Sequence, residues 1–117
     1  MEINQTNIDN VPIVSVSGRI DGTTSKDLET ILNELIDQNK SEIVLDLEEV
    51  VYISSVGLRV LLAALKKVRP NKGDVKLVSL QPFVKEVFDI TGFTKLFSIY
   101  LNREEALGCF KCNSNPG

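Results

Sequence analysis

The chain contains neither histidine nor tryptophan. Without an imidazole no Ser-His-Asp triad can be assembled, and a nucleophile elbow G-x-S-x-G centred on Ser55 would need glycine where Ile53 stands. The seven glycines are scattered; they match neither the phosphate-cradling G-x-x-x-x-G-K-[ST] loop nor the dinucleotide fingerprint G-x-G-x-x-G. Cysteine is scarce. Cys109 and Cys112 form a C-x-x-C spacing near the C-terminal end, but a zinc site needs further ligands and a thioredoxin-like pair follows a strand, so both read as free thiols. No apolar run approaches the roughly 18 residues of a membrane span, and Met1-Glu2-Ile3-Asn4-Gln5 lacks the pattern of a signal peptide. Cations are not in excess either: 13 Lys and Arg against 16 Asp and Glu leave a net charge of −3, which gives nucleic acid no electrostatic foothold. The expectation is a cytoplasmic binding protein that is not an enzyme, holds no cofactor or metal, and enters no membrane.

What is present fits one globular domain. In a chain of 117 residues, 43% hydrophobic and 25% charged, there is enough apolar material for one core and too little length for two. We expect a single domain over residues 1–111 and a disordered tail over 112–117. Residues 4–7 and 12–17 read as two strands of a hairpin about Ile8-Asp9-Asn10. The turn-rich stretch from Ser17 to Gly22 leads to Thr24, whose hydroxyl can cap a first helix over 25–38. Leu28, Ile31, Leu32, Leu35 and Ile36 form one stripe along that helix.

Residues 43–47 are a nearly continuous apolar run, the mark of an interior strand. An acidic link at Glu48 and Glu49 follows, then Val50-Val51-Tyr52-Ile53. A second helix starts at Ser54-Ser55-Val56-Gly57 and runs to about Val68, burying Leu58, Leu61, Leu62, Leu65 and Val68. Residues 75–78 predict another strand. Pro82 opens a third helix with Phe83, Val84, Val87 and Phe88 inward, and Gly92 closes it. Residues 97–100 read as a last strand, and Asn102 with Glu105 caps a short helix over 103–110. Helices alternating with strands predict an α/β fold: a mixed β-sheet, mainly parallel, with about four helices lying mostly on one face.

Asp21, Asp46, Glu48 and Glu49 could form an acid/base or metal cluster; solvated loop carboxylates are the simpler reading. Ser54 and Ser55 carry two readings. A hydroxyl at a helix start can cap free amides, or it can accept a phosphoryl group where the dipole and unpaired N–H groups favour an anion.

The run Ile43-Val44-Leu45-Asp46-Leu47, then Val50, then Tyr52-Ile53-Ser54-Ser55-Val56-Gly57-Leu58-Arg59-Val60-Leu61, closely resembles the STAS domain of bacterial anti-sigma factor antagonists. Gly18-Arg19-Ile20-Asp21 with Thr24 and Leu28 is similar to that family's G-x-[LI]-D loop and first helix. Phe83-Val84, Val87-Phe88, Gly92-Phe93 and Phe97 are similar to its third-helix segment. The resemblance implies a STAS-like sheet flanked by helices and a partner switch. An unphosphorylated antagonist binds an anti-sigma factor that is also a serine kinase, serine phosphorylation releases it, and a serine phosphatase restores it, so that transcription is regulated. The family motif D-S-x-G places its phosphorylated serine at Ser55 and its glycine at Gly57, with Ser54 in place of the aspartate. Ser54 is the lesser candidate for modification. Asp21, Thr24, Ser54, Ser55, Val56, Gly57, Leu58 and Arg59 are the implied partner-binding residues. The alternative within the same resemblance is a subunit docked constitutively in a transporter or sensory complex, with Ser55 only a cap. The sequence sets no oligomeric state.

Overall fold

A computed structural model describes residues 2–113, with side chains described through residue 108. The elements, in chain order, are β1 (Glu2–Ile8), β2 (Val11–Ile20), α1 (Ser25–Asp37), β3 (Glu42–Ile53), α2 (Ser55–Val68), β4 (Asp74–Val78), α3 (Pro82–Thr91), β5 (Ser98–Tyr100) and α4 (Arg103–Asn113). The strands form one mixed sheet in the order β1-β2-β3-β4-β5. β1 is antiparallel to β2, and every other neighbouring pair is parallel. The hairpin turn is tighter than expected: Ile8 pairs with Val11, and Asp9 and Asn10 take φ of 54° and 68°. Such positive values suit a two-residue turn whose twist matches the strands, and Asn and Asp tolerate them.

Alternation along the strands divides the interior in two. Val14, Val16, Leu45, Leu47 and Leu77 face a main core shared with Leu28 and Leu32 of α1, Leu58, Leu61 and Leu65 of α2, and Val84 and Phe88 of α3. Ile13, Val44 and Val78 face the other way and meet Ala106 and Leu107 of α4. The fourth helix therefore covers part of the second face, which was expected to lie mostly bare. Arg103 secures it there, with Nε 2.7 Å from Asp46 Oδ2 and a terminal guanidinium nitrogen 2.6 Å from Ser15 Oγ. Asp46 is thus a buried, paired strand residue and not a solvated loop carboxylate.

β2 and β3 run well past the ends that the sequence predicts. β3 continues through Glu48 and Glu49 to Ile53, and β2 continues through Ser17, Gly18 and Arg19 to Ile20. The pairing between them shifts register between Ser15 and Ser17 and again between Gly18 and Arg19. Irregularities of this kind let polar and turn-forming residues remain in a ladder that strict alternation would exclude. Gly18, at φ 92°, takes a backbone conformation that side chains rarely adopt.

Some side chains sit differently from the sequence prediction. Phe83 is 58% exposed, because it lies at the outer edge of the helix face, beyond the half-buried Val87 and about 100° and 140° of helix from the buried Val84 and Phe88. Leu62 is only half-buried. Phe97 is buried but precedes β5; it packs with Phe88 and Phe93, its ring centroid 6.0 Å from that of Phe88. Gly92, at φ 80°, closes α3 as expected. Asn102 Oδ1 accepts from the Glu105 N–H at 2.9 Å and Glu105 Oε2 accepts from the Leu101 N–H at 3.0 Å, which completes the predicted cap of α4. That helix runs to Asn113, into the segment expected to be disordered. The remainder of the predicted tail, 114–117, lies outside the described residues, as do the side chains of Cys109 and Cys112.

Candidate functional site

The carboxyl ends of the parallel strands β2 and β3 lie side by side, and the loops leaving them lead into α1 and α2. Two contacts join these loops. The Ser54 N–H donates to the Ile20 carbonyl at 2.8 Å. Gly57 stands so close to both strand ends that an added Cβ would lie 2.7 Å from Ile20 Cγ2 and 2.9 Å from Ile53 Cγ1. The glycine is thus required by space. The start of α2 can press onto the sheet only because no side chain intervenes.

Ser54 and Ser55 divide the two roles that the sequence left open. Ser54 is the N-cap, with extended backbone (φ −90°, ψ 172°), and its Oγ accepts from the Gly57 N–H at 3.2 Å. Ser55 is the first residue of the helix and is exposed. Among the described residues its hydroxyl has no hydrogen-bond partner. It stands where the amides of the first turn and the positive end of the helix dipole favour an anion. Val56, 40% exposed, and the exposed Arg59, one turn along, continue the same surface. Gly57 and Leu58 do not: both are buried, so of the eight implied contact residues these two serve the core, because the helix turns them toward the sheet.

The neighbouring loop is tied by Asp21 and Thr24. Asp21 Oδ1 accepts from the Thr23 and Thr24 N–H groups at 2.9 and 3.0 Å. Those bonds, that from Thr24 foremost, hold the Asp21 carboxyl below its ordinary value of 3.8. Thr24 does not cap α1 with its side chain. Its backbone is already helical (φ −83°, ψ −24°), so the hydroxyl turns back, donating to the Arg19 carbonyl at 2.7 Å and accepting from the Asp21 N–H at 2.9 Å. The sequence reading assigned no role to Arg19 and Tyr52, yet they flank this surface. The β2–β3 register sets them opposite each other, with the guanidinium 4.2 Å from the ring centroid. Only that cross-strand register brings them together, and neither strand was expected to extend so far.

Among the described residues no group of His, Cys, Asp and Glu could hold a metal ion, and no helix is long and apolar enough to cross a membrane. The geometry is that of a surface two loops wide, with one unengaged hydroxyl at a helix start, framed by Asp21, Val56 and Arg59.

Comparison with known proteins gives a consistent result. The sequence pattern of the family described as STAS domain matches residues 2–106. BtrV of Bordetella bronchiseptica, provisionally named as an anti-sigma factor antagonist, is 37% identical over 111 residues, covering 95% of this chain and 96% of the relative. The crystal structure of an anti-sigma factor antagonist from Mycobacterium paratuberculosis superimposes with a TM-score of 0.85 at 30% identity, covering 92% of each chain. The fold is also similar to that of SpoIIAA, a Bacillus cell fate determinant solved in its phosphorylated form, with a TM-score of 0.74 at 16% identity over 93% of this chain and 99% of that one.

Proposed function

The chain belongs to the STAS domain family of anti-sigma factor antagonists, and from that premise we propose that it works by partner switching controlled at Ser55. The single observation that carries the reading is the division of labour between the two serines. Ser54 Oγ is engaged in capping the helix while the Ser55 hydroxyl is exposed and unengaged among the described residues. In its unphosphorylated form the domain binds an anti-sigma factor that is also a serine kinase, through the surface of Asp21, Thr24, Ser55, Val56 and Arg59. Phosphorylation of Ser55 releases it, a serine phosphatase reverses the change, and the sigma factor, hence transcription, is the output. The chain acts in the cytoplasm and catalyses nothing itself.

Physical chemistry supports this in three ways. A phosphoryl group adds about −1.5 to −2 charges at neutral pH. At the first position of α2 it would be tolerated by the helix and would leave the fold intact, so its effect would fall on the partner. Ser54, in place of the aspartate of the D-S-x-G motif, keeps the capping role, since Ser and Asp cap comparably, and it adds no carboxylate beside the phosphoryl group.

Turning a complex from almost wholly bound to almost wholly free takes on the order of 5 kcal/mol of differential affinity. Desolvated like charges or a clash at a packed interface can supply that. The test is mass spectrometry of the protein from its own cells, together with titration of the cognate anti-sigma factor. Phosphate should map to Ser55, Ser55→Asp should weaken binding, and Ser55→Ala should bind without responding to the kinase. Equal affinity of the phosphorylated and plain forms would end the proposal.

A further inference from the structure

We propose that the groove between the C-terminal half of α2 and the 3-10 turn Phe93–Lys95 is a second docking surface, fitted to an acidic amphipathic helix of a partner protein. Leu62, Leu65 and Leu96 form its apolar floor, Lys66, Arg69 and Lys95 its rim, and its volume is about 350 Å³. Leu96 is 45% exposed and Leu62 only half-buried, so folding leaves an apolar strip uncovered. The charged residues of the lining are all cationic, on a chain whose net charge is −3. Among the described residues these cations form no ion pair; the pairs that form are Lys76 with Asp74, Lys85 with Asp89 and Arg103 with Asp46.

Arg69 gives one donor to the Leu96 carbonyl at 3.0 Å. That bond ties the two walls together and leaves the other N–H groups of the guanidinium for a ligand. Lys66 and Arg69 also answer the negative end of the α2 dipole, but Lys95 stands on another element and has no such role. Carboxylates alone would need only the rim, and an apolar ligand only the floor. The combination calls for an apolar stripe flanked by acidic side chains, which is how an acidic amphipathic helix presents itself to a groove. A single acyl chain would need a pocket that encloses most of its surface, whereas this groove has one half-exposed wall. It begins about two turns along α2 from Ser55, roughly 10 Å at the rise of an α-helix, and none of its lining residues belongs to the proposed switch surface.

The full-length protein, labelled with nitrogen-15, is titrated with a synthetic helix of about 18 residues, long enough to fold in contact with a groove. The peptide carries leucine at i, i+3, i+4 and i+7 and glutamate elsewhere. The expected amide shifts are confined to residues 62–69 and 94–97 and weaken as salt is raised. Lys66→Glu combined with Lys95→Glu should bind at least about tenfold more weakly while the amide spectrum remains that of the folded protein, and Ser55→Asp should bind as the parent does; the two lysine substitutions replace exposed rim charges and spare the core. The proposal is overturned if a lysine version of the peptide binds equally, if the shifts fall on residues 55–59, or if no shift appears. It is equally overturned if sedimentation shows the protein pairing through this groove, or if phosphatidylglycerol vesicles, and not the peptide, move the same amides.

Discussion

Gly57 and Ile20 stand closer than any side-chain-bearing pair could: a methyl placed on Gly57 would lie 2.7 Å from Ile20 Cγ2. Ile20 and Ile53 are both buried and have nowhere to retreat, so the start of α2 would have to lift off the sheet. Gly57→Ala is therefore expected to destabilise the protein by about 1–2 kcal/mol, overpacking outweighing the better helix propensity of alanine. Urea denaturation measures this, and amide shifts at Asp21 and Thr24 should report the displaced helix start.

The two adjacent serines should behave differently on truncation. Ser54→Ala removes the hydroxyl that accepts from the Gly57 N–H and should cost about 1 kcal/mol. Ser54→Asp should keep the cap and restore the motif residue with no loss. Ser55→Ala removes a hydroxyl that bonds nothing among the described residues and should fall within about 0.5 kcal/mol of the parent. A Ser55→Ala variant as unstable as Ser54→Ala would show that Ser55 has a structural part.

Arg103 reaches across 57 residues of sequence to Asp46 and across 88 to Ser15. Asp46 is buried while Arg103 remains partly exposed, so losing the guanidinium leaves a carboxylate that still accepts from the Glu48 N–H but faces no cation. Arg103→Ala is expected to cost about 1–3 kcal/mol. Arg103→Lys should rescue it only in part, because an ammonium lacks the planar fork whose separate nitrogens reach Asp46 and Ser15 at once. Hydrogen exchange of the α4 amides should quicken in both variants more than exchange in α2.

The Asp21 carboxyl gives the loop beside Ser55 a dependence on acid. Its folded value lies below the ordinary 3.8, chiefly through the Thr24 and Thr23 N–H groups. The stabilisation is therefore complete above the unfolded value and is lost as pH falls through the folded one. Amide shifts of Thr23 and Thr24 should hold steady near neutrality and move together only at pH values below the ordinary carboxylate value of about 4, where the folded carboxyl takes up its proton. Asp21→Asn should abolish that movement. If the shifts already move near pH 6, another group controls the loop.

Much of this was legible in the sequence, and the reason is local. The stripe of Leu28, Leu32 and Leu35, the proline and glycine that bound α3, and the Asn102–Glu105 cap are settled by neighbours three or four residues away. The extended ends of β2 and β3 were not legible. Gly18, Arg19, Glu48 and Glu49 have turn or loop character by themselves, and only pairing with the adjacent strand, through two register shifts, holds them in the sheet. Phe83 was misjudged because an aromatic beside an apolar stripe looks like part of it until the helix is seated.

The sequence by itself determined the alternation of strands and helices, the absence of a histidine-based triad and of a phosphate-cradling glycine loop, and the motif that marks the family, because composition and short-range spacing suffice for each. Tertiary structure alone decided which serine caps and which stands open, that Gly57 is pressed against the two strand ends, and that Arg19 meets Tyr52. Those outcomes depend on how one strand end lies against another, and no pattern within a single segment encodes such a distance.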